Sequence, residues 1–293
     1  MRRPRILLTG AAGQVGYELA GLLPAHGDVV ATDRAALDLA RPDAIVAAMR
    51  EVRPDLVVNA GAYTAVDAAE RDRATAFAVN ARAPQILADE VKRSGALLIH
   101  YSTDYVFDGS ATSPYDEDAP AAPLNVYGQS KLDGERAIVA SDARALILRT
   151  SWVYGLRGKN FLLTIRRLAA ERDELKIVAD QAGTPNWART LAIATADLVA
   201  RGLPYLDERT GLYHFSSTGA TTWHGFAAAI IGDARTPKVT PITTAEYPTP
   251  ARRPMYGVLA TARFSAAFDY DLPPWRDALA ACLASGTQPA ATN

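Results

Sequence analysis

The sequence predicts an α/β fold, a doubly wound parallel sheet followed by a smaller C-terminal lobe. Three observations predict it. Up to residue 150, short unbroken apolar runs alternate with helical stretches, the pattern of parallel strands covered on both faces. A glycine-rich turn follows the first of those runs at once. After Tyr154 the alternation becomes irregular, as expected where a second, smaller unit begins.

Arg5 to Thr9 reads as the first buried strand, Gly10-Ala11-Ala12-Gly13-Gln14-Val15-Gly16 as the turn, and Tyr17 to Leu23 as a helix. Glycines at this spacing permit a tight turn and let backbone approach a pyrophosphate, which rests on the helix N-terminus. This is a Rossmann-type arrangement. Asp28 to Thr32 is the second strand, and Asp33 ends it, where a carboxylate grips an adenosine ribose and favours NADH. Arg34 beside it would instead pair with the 2′-phosphate of NADPH, so the choice between the two stays open. Pro42 to Val52 reads as a helix, Asp55 to Val58 as a strand, and Asn59-Ala60-Gly61-Ala62 as a small-residue loop that admits a cofactor. A helix over Ala74 to Arg93 precedes a fourth strand, Ala96 to Tyr101. Ser102-Thr103-Asp104 ends that strand, on the side where open α/β sheets bind ligands. Pro114 to Pro123 is a surface loop, Ser130 to Ala140 a helix opened by Tyr127, and Ala145 to Arg149 the fifth strand.

Tyr127 and Lys131 are four residues apart, one helical turn, and face the same way. A phenol titrates near pH ~10, and a neighbouring ammonium lowers that value. The pair therefore suits proton transfer to a carbonyl oxygen near neutral pH, with a hydroxyl such as that of Thr103 assisting.

The second half reads as helices over Lys159 to Arg172, Trp187 to Ala200 and Thr221 to Ile231, with short strands at Lys176 to Val178 and Gly211 to Phe215. These observations divide the chain into a dinucleotide-binding domain over 1–150, with 175–205 returning to it. A substrate-binding lobe takes 151–174 and 206–285, and 286–293 forms a frayed tail. Trp187, Trp223 and Trp275 are expected in the packing, and Trp152, just after the fifth strand, against a ligand. His100, inside a strand, reads as a core residue.

The net charge of −1 leaves no basic field for nucleic acid or an anionic membrane. A single cysteine, Cys282, excludes an internal disulfide, and the four histidines lack ligand spacing for zinc. The lone cysteine fits a cytoplasmic protein, and the apolar run after the basic first residues, Ile6 to Leu8, is too short for a signal sequence or a span.

Taken together, the glycine turn, Asn59 to Ala62, the hydroxyls ending the fourth strand and Tyr127-x-x-x-Lys131 resemble the extended short-chain dehydrogenase/reductases. Tyr101-Ser102-Thr103-Asp104-Tyr105-Val106-Phe107-Asp108-Gly109, Tyr127-Gly128-Gln129-Ser130-Lys131, Arg149 to Gly155 and Tyr247 to Pro254 are similar, within them, to the dTDP-4-dehydrorhamnose reductase family. The resemblance implies reduction of a dTDP-4-keto sugar by NADPH or NADH. It assigns proton donation to Tyr127, its activation to Lys131, and assistance at the carbonyl to Thr103. It places Gly10, Gly13, Gln14, Val15, Gly16, Asp38, Leu39, Ala60, Gly61, Ala62 and Thr64 on the cofactor, with Tyr127 and Lys131, and Asp104, Val106, Phe107, Trp152 and Asn160 on the sugar. Arg252 and Arg253 would hold the nucleotide diphosphate or form a solvated pair. Gly257 stands where the family often has serine, and Arg189 where an acid would help Glu18 hold Mg²⁺. A cation there repels Mg²⁺, so no metal and a monomer or weak homodimer are expected. A related epimerase or 4,6-dehydratase, and a cofactor-binding regulatory subunit without activity, are the other readings. Tyr105 stands against a dehydratase, which would want an acid pair beside Thr103.

Overall fold

The computed structural model describes residues 2–233 and 237–286. Six parallel strands form the central sheet: β1 Arg5–Thr9, β2 Asp28–Thr32, β3 Leu56–Asn59, β4 Leu97–Thr103, β5 Ala145–Thr150 and β6 Gly211–His214. Their spatial order is β6-β5-β4-β3-β1-β2. From β1 the chain goes to β2 on one side and resumes at β3 on the other. This reversal opens a crevice at the C-terminal ends of β1 and β3, the position at which doubly wound sheets bind ligands.

Apolar residues on both faces of the strands hold the layers together. Ile6, Leu8, Val58, Ile99 and Leu148 pack with α1 (Gln14–Leu22) and the helix Ala188–Ala200 on one side. Leu7, Val57, Leu98 and Ile147 pack with α2 (Pro42–Val52) and α3 (Ala83–Ser94) on the other. Helix α4 (Val126–Ser141) starts at Asn125, whose side chain accepts from the Gly128 N–H at 2.8 Å, an N-cap that fixes where Tyr127 enters the helix. Arg149 on β5 donates twice to Glu135 on α4, at 2.9 and 2.7 Å, with both side chains 4% exposed.

Three expectations change. The strand at residues 211–214 is the sixth strand of the central sheet, not part of the lobe, because Tyr213 and Phe215 complete the packing around Phe264 and Phe268. Glu174–Val178 pairs with Lys238–Ile242 in the lobe, so residues 175–178 do not return to the central sheet. Such pairings link residues about 60 positions apart and leave no local trace in the sequence. The expected helix over 74–93 is broken: Arg73–Phe77 leads into a wider π turn at Ala78–Arg82 before α3. Pro84 has no N–H to return to the Asn80 carbonyl, and the Asn80 side chain is drawn off to the Tyr63 N–H (2.8 Å) and to the Ser130 hydroxyl (3.0 Å). Of the tail expected at 286–293, Gly286 caps the last described helix, Trp275–Ser285, and 287–293 lie outside the described residues.

The lobe has its own core of Tyr154, Leu162, Leu175, Phe226, Trp275 and Cys282, with Trp187 buried among them. No described helix is long and apolar enough to cross a membrane.

Breaking the Glu135–Arg149 pair strands a buried charge. Glu135→Ala is expected to lower the unfolding free energy by about 3–5 kcal/mol, read from urea denaturation.

Candidate active site

A cleft of about 650 Å³ opens between the C-terminal ends of the strands and the lobe. At its floor Gly10 adopts φ +72°, and a Cβ there would stand 2.5 Å from Gly61. Only glycine allows this contact between the β1 and β3 loops. Gly16 faces inward and does not line the cleft; a Cβ there would lie 2.1 Å from the Gly10 carbonyl oxygen, so its role is to seat α1 against the turn. Gly13 caps α1 with no side chain, and the first turn carries no acid, which leaves the leading N–H groups free for an anion. This floor fits the diphosphate of a dinucleotide. Gly13, Gln14, Val15, Asp38, Leu39, Ala60, Gly61, Ala62 and Thr64 all line the cleft.

Arg34 also lines it, whereas Asp33 lies in a shallower depression beside Ala12. The Asp33 Oδ1 accepts from the Ala35 and Ala36 N–H groups, both at 3.0 Å.

Thr103 and Asp104 arrive from the end of β4, Tyr127 and Lys131 from α4, and all four line the same cleft. Lys131 Nζ donates to the Tyr101 carbonyl at 2.6 Å and lies 3.3 Å from His100 Nε2. The expectation that Lys131 lowers the phenol is not met in this state. Burial pushes Tyr127 up to about 12, opposed by a hydrogen bond with the Thr103 side chain and reinforced by Asp104, while the lysine is turned toward the Tyr101 carbonyl. Burial also pushes Lys131 down to about 8, against the pull of Glu135. The dry site therefore keeps the phenol protonated at neutral pH, the form a proton donor needs. Thr103 donates to Asp104 Oδ1 at 3.0 Å, and Asp104 Oδ2 is buried with no partner. Burial pushes this carboxyl up to about 7. Gly257 stands against it: a Cβ there would lie 2.6 Å from Oδ2.

Trp152 lines the cleft with φ +41°, a conformation rare outside glycine. Two neighbours hold it. Its indole stacks on Trp223 with centroids 3.5 Å apart at 8°, and Gly183 lies against the ring, where a Cβ would come within 2.5 Å. Asn160 caps the helix Phe161–Glu171 and donates to Gln14 Oε1 at 2.8 Å, tying the lobe to the glycine turn.

Other expectations are corrected. Val106 and Phe107 are fully buried away from the cleft; Phe107 stacks on Tyr115, with centroids 4.1 Å apart. Arg253 does not line the cleft; its half-buried side chain donates to both carboxylate oxygens of Asp67, at 3.0 and 2.9 Å. Trp223 packs against the lobe core as expected and also lines the cleft, and His100, buried as expected, also touches Lys131. The sequence reading missed Arg157 and Lys159, which flank Gly158 on the cleft rim. Two cations either side of a glycine, directly before Asn160, were the available signal. Among the described residues no three His, Cys, Asp or Glu side chains gather as a metal site, and Arg189 is exposed.

The family model described as RmlD substrate binding domain matches residues 4–288. The chain is 48% identical to dTDP-4-dehydrorhamnose reductase of Burkholderia thailandensis, over 95% of this chain and 98% of the relative. It is 43% identical to the enzyme of that name from Escherichia coli K12, over 92% and 94%. The crystal structure of dTDP-4-dehydrorhamnose reductase from Bacillus anthracis in complex with NADP superposes with a TM-score of 0.90 at 34% identity, over 97% of this chain and all of that one.

Asp104 is costly to ionise in place. A raised folded-state value means that its contribution to stability is present in acid and lost as pH rises from near 4 toward about 7. The neutral isostere Asp104→Asn is therefore expected to exceed the wild type by ~1–3 kcal/mol at pH 8, with the gap closing near pH 4, as measured by denaturant unfolding.

Proposed function

We propose a function from the premise that this chain belongs to the dTDP-4-dehydrorhamnose reductase family. It reduces the C4 ketone of dTDP-4-dehydro-β-L-rhamnose to dTDP-L-rhamnose, with NADPH or NADH as the reductant. The observation that carries this reading is the half-buried Tyr127 beside Thr103, at the end of β4 and in the same cleft as the glycine turn.

Each residue has a chemical part. When bound, the nicotinamide cofactor supplies the hydride that forms the new C4–H bond. Tyr127 gives its proton to the C4 oxygen and is left as a phenolate. Thr103 offers a hydrogen bond where charge develops on that oxygen, a kind of contribution worth about 3 kcal/mol in other enzymes. Lys131 lies one turn on, where a protonated amine stabilises the phenolate that Tyr127 becomes. The α1 N-terminus and the Gly10–Gly13 backbone hold the diphosphate of the cofactor, and Trp152 walls the sugar. Arg34 in the cleft, with Asp33 turned to its own loop, favours NADPH. The central sheet carries the cofactor side and the lobe the sugar side. The protein works in the cytoplasm as a monomer or weak homodimer.

The test follows absorbance of the reduced cofactor with enzymatically prepared dTDP-4-dehydro-L-rhamnose. Turnover is expected with both cofactors and is better with NADPH. Tyr127→Phe is expected to lower kcat by about 10²–10⁴-fold with cofactor binding retained. Tight cofactor binding with no turnover would sink the reductase reading and favour a regulatory subunit.

A further inference from the structure

Lys131 has a neighbour that the reduction does not require. His100 is 1% exposed and, on β4, is the register partner of Asn59 on β3. Its Nδ1 lies 2.9 Å from Asn59 Nδ2 and its Nε2 lies 3.3 Å from Lys131 Nζ.

Counting donors and acceptors along this row locates the proton of the ring. The Gly61 N–H can only donate, and it donates to Asn59 Oδ1 at 3.3 Å, as does the Thr9 hydroxyl at 2.7 Å. The amide NH₂ of Asn59 therefore faces the imidazole, and Nδ1 accepts. A neutral imidazole with a bare Nδ1 carries its proton on Nε2. That N–H is aimed at Lys131 Nζ. An ammonium has three donors and no acceptor, so it would meet Nε2–H donor to donor. A neutral amine has a lone pair and accepts. Burial acts in the same sense, holding His100 well below the ordinary imidazole value and moving Lys131 toward its uncharged form.

We propose that His100 is a positioning residue for Lys131: anchored by Asn59, its Nε2–H donates to the ε-amine when that amine is uncharged, disfavours the ammonium, and holds Nζ on the Tyr101 carbonyl, one turn from Tyr127. The titratable groups around Nζ are His100 on β4, Tyr127 and Glu135 on α4, Arg149 of β5 behind Glu135, and Asp104 beyond Thr103. Glu135 favours the ammonium, and an Nε2–H of His100 aimed at Nζ would oppose it. Removing the Nε2–H and supplying an acceptor must then move the lysine titration to higher pH.

Two experiments test this, and only the second rests on the reductase reading. Long-range ¹⁵N NMR of the free wild-type protein, with His100 assigned by backbone connectivity, reports the tautomer directly. The expected result is Nε2–H, unchanged from about pH 5 to 9; an Nδ1–H tautomer, or a ring that charges in that range, overturns the proposal. In steady-state kinetics with NADPH and the 4-keto sugar, His100→Gln is expected to move the basic limb of kcat/KM upward by about one unit, because glutamine Oε1 accepts from an ammonium. A uniform loss of rate with the limb unmoved would mean that His100 serves packing alone. A wild-type protein without turnover would sink the reductase reading, and the tautomer measurement would still decide the role of His100.

Discussion

The site depends on how closely α4 presses on its neighbours. Two glycines permit it. A Cβ at Gly128 would lie 2.1 Å from the Tyr105 carbonyl oxygen, and one at Gly134 would lie 2.2 Å from the Asn80 carbonyl oxygen. At those two contacts no water fits between α4 and the turns it packs on, and the Tyr127 ring meets Tyr105 edge-on with centroids 5.5 Å apart. Lys131, 2% exposed, finds the Tyr101 carbonyl. The π turn at Ala78–Arg82 belongs to the same contact, since it presents the Asn80 carbonyl to Gly134 and the Asn80 amide to Ser130.

Dryness then sets the chemistry. Phenol, carboxyl and amine all shift toward their uncharged forms: Tyr127 and Asp104 rise and Lys131 falls. Burial outweighs every local charge in these three groups, which is why helical spacing alone misjudges the effect of the lysine on the tyrosine. The cleft combines this dry end with an electropositive one, where Arg34, Arg157 and Lys159 stand near bare helix N–H groups. A ligand with a charged diphosphate and an uncharged reacting carbon matches both ends. Trp152 closes the dry end, held in an unusual backbone conformation by its stack on Trp223.

The sheet was legible because its inner strands are buried on both faces and so read as unbroken apolar runs; β3, β4 and β5 are buried throughout, while the edge strand β2 is largely exposed. The segments that meet at the cleft were legible for a related reason. In this topology they are the residues directly after β1, β3 and β4, together with the start of α4. What lay beyond local sequence was long-range partnership. Arg253 finds Asp67 across 186 positions, Trp152 finds Trp223, and β6 finds β5. Val106 and Phe107 show a second limit: a short helical turn, Asp104–Val106, follows β4 and carries both side chains into the packing around Tyr115 and Leu259, although they adjoin Thr103 and Asp104 in sequence.

The central claim is that hydride reaches C4 of the sugar while Tyr127 supplies the proton. Its most direct test uses NADPH deuterated at the transferable position and dTDP-4-dehydro-L-rhamnose, with the product read by proton NMR. The account predicts one deuterium at C4 in a single configuration. Deuterium at any other carbon, or a product that carries none, would contradict it.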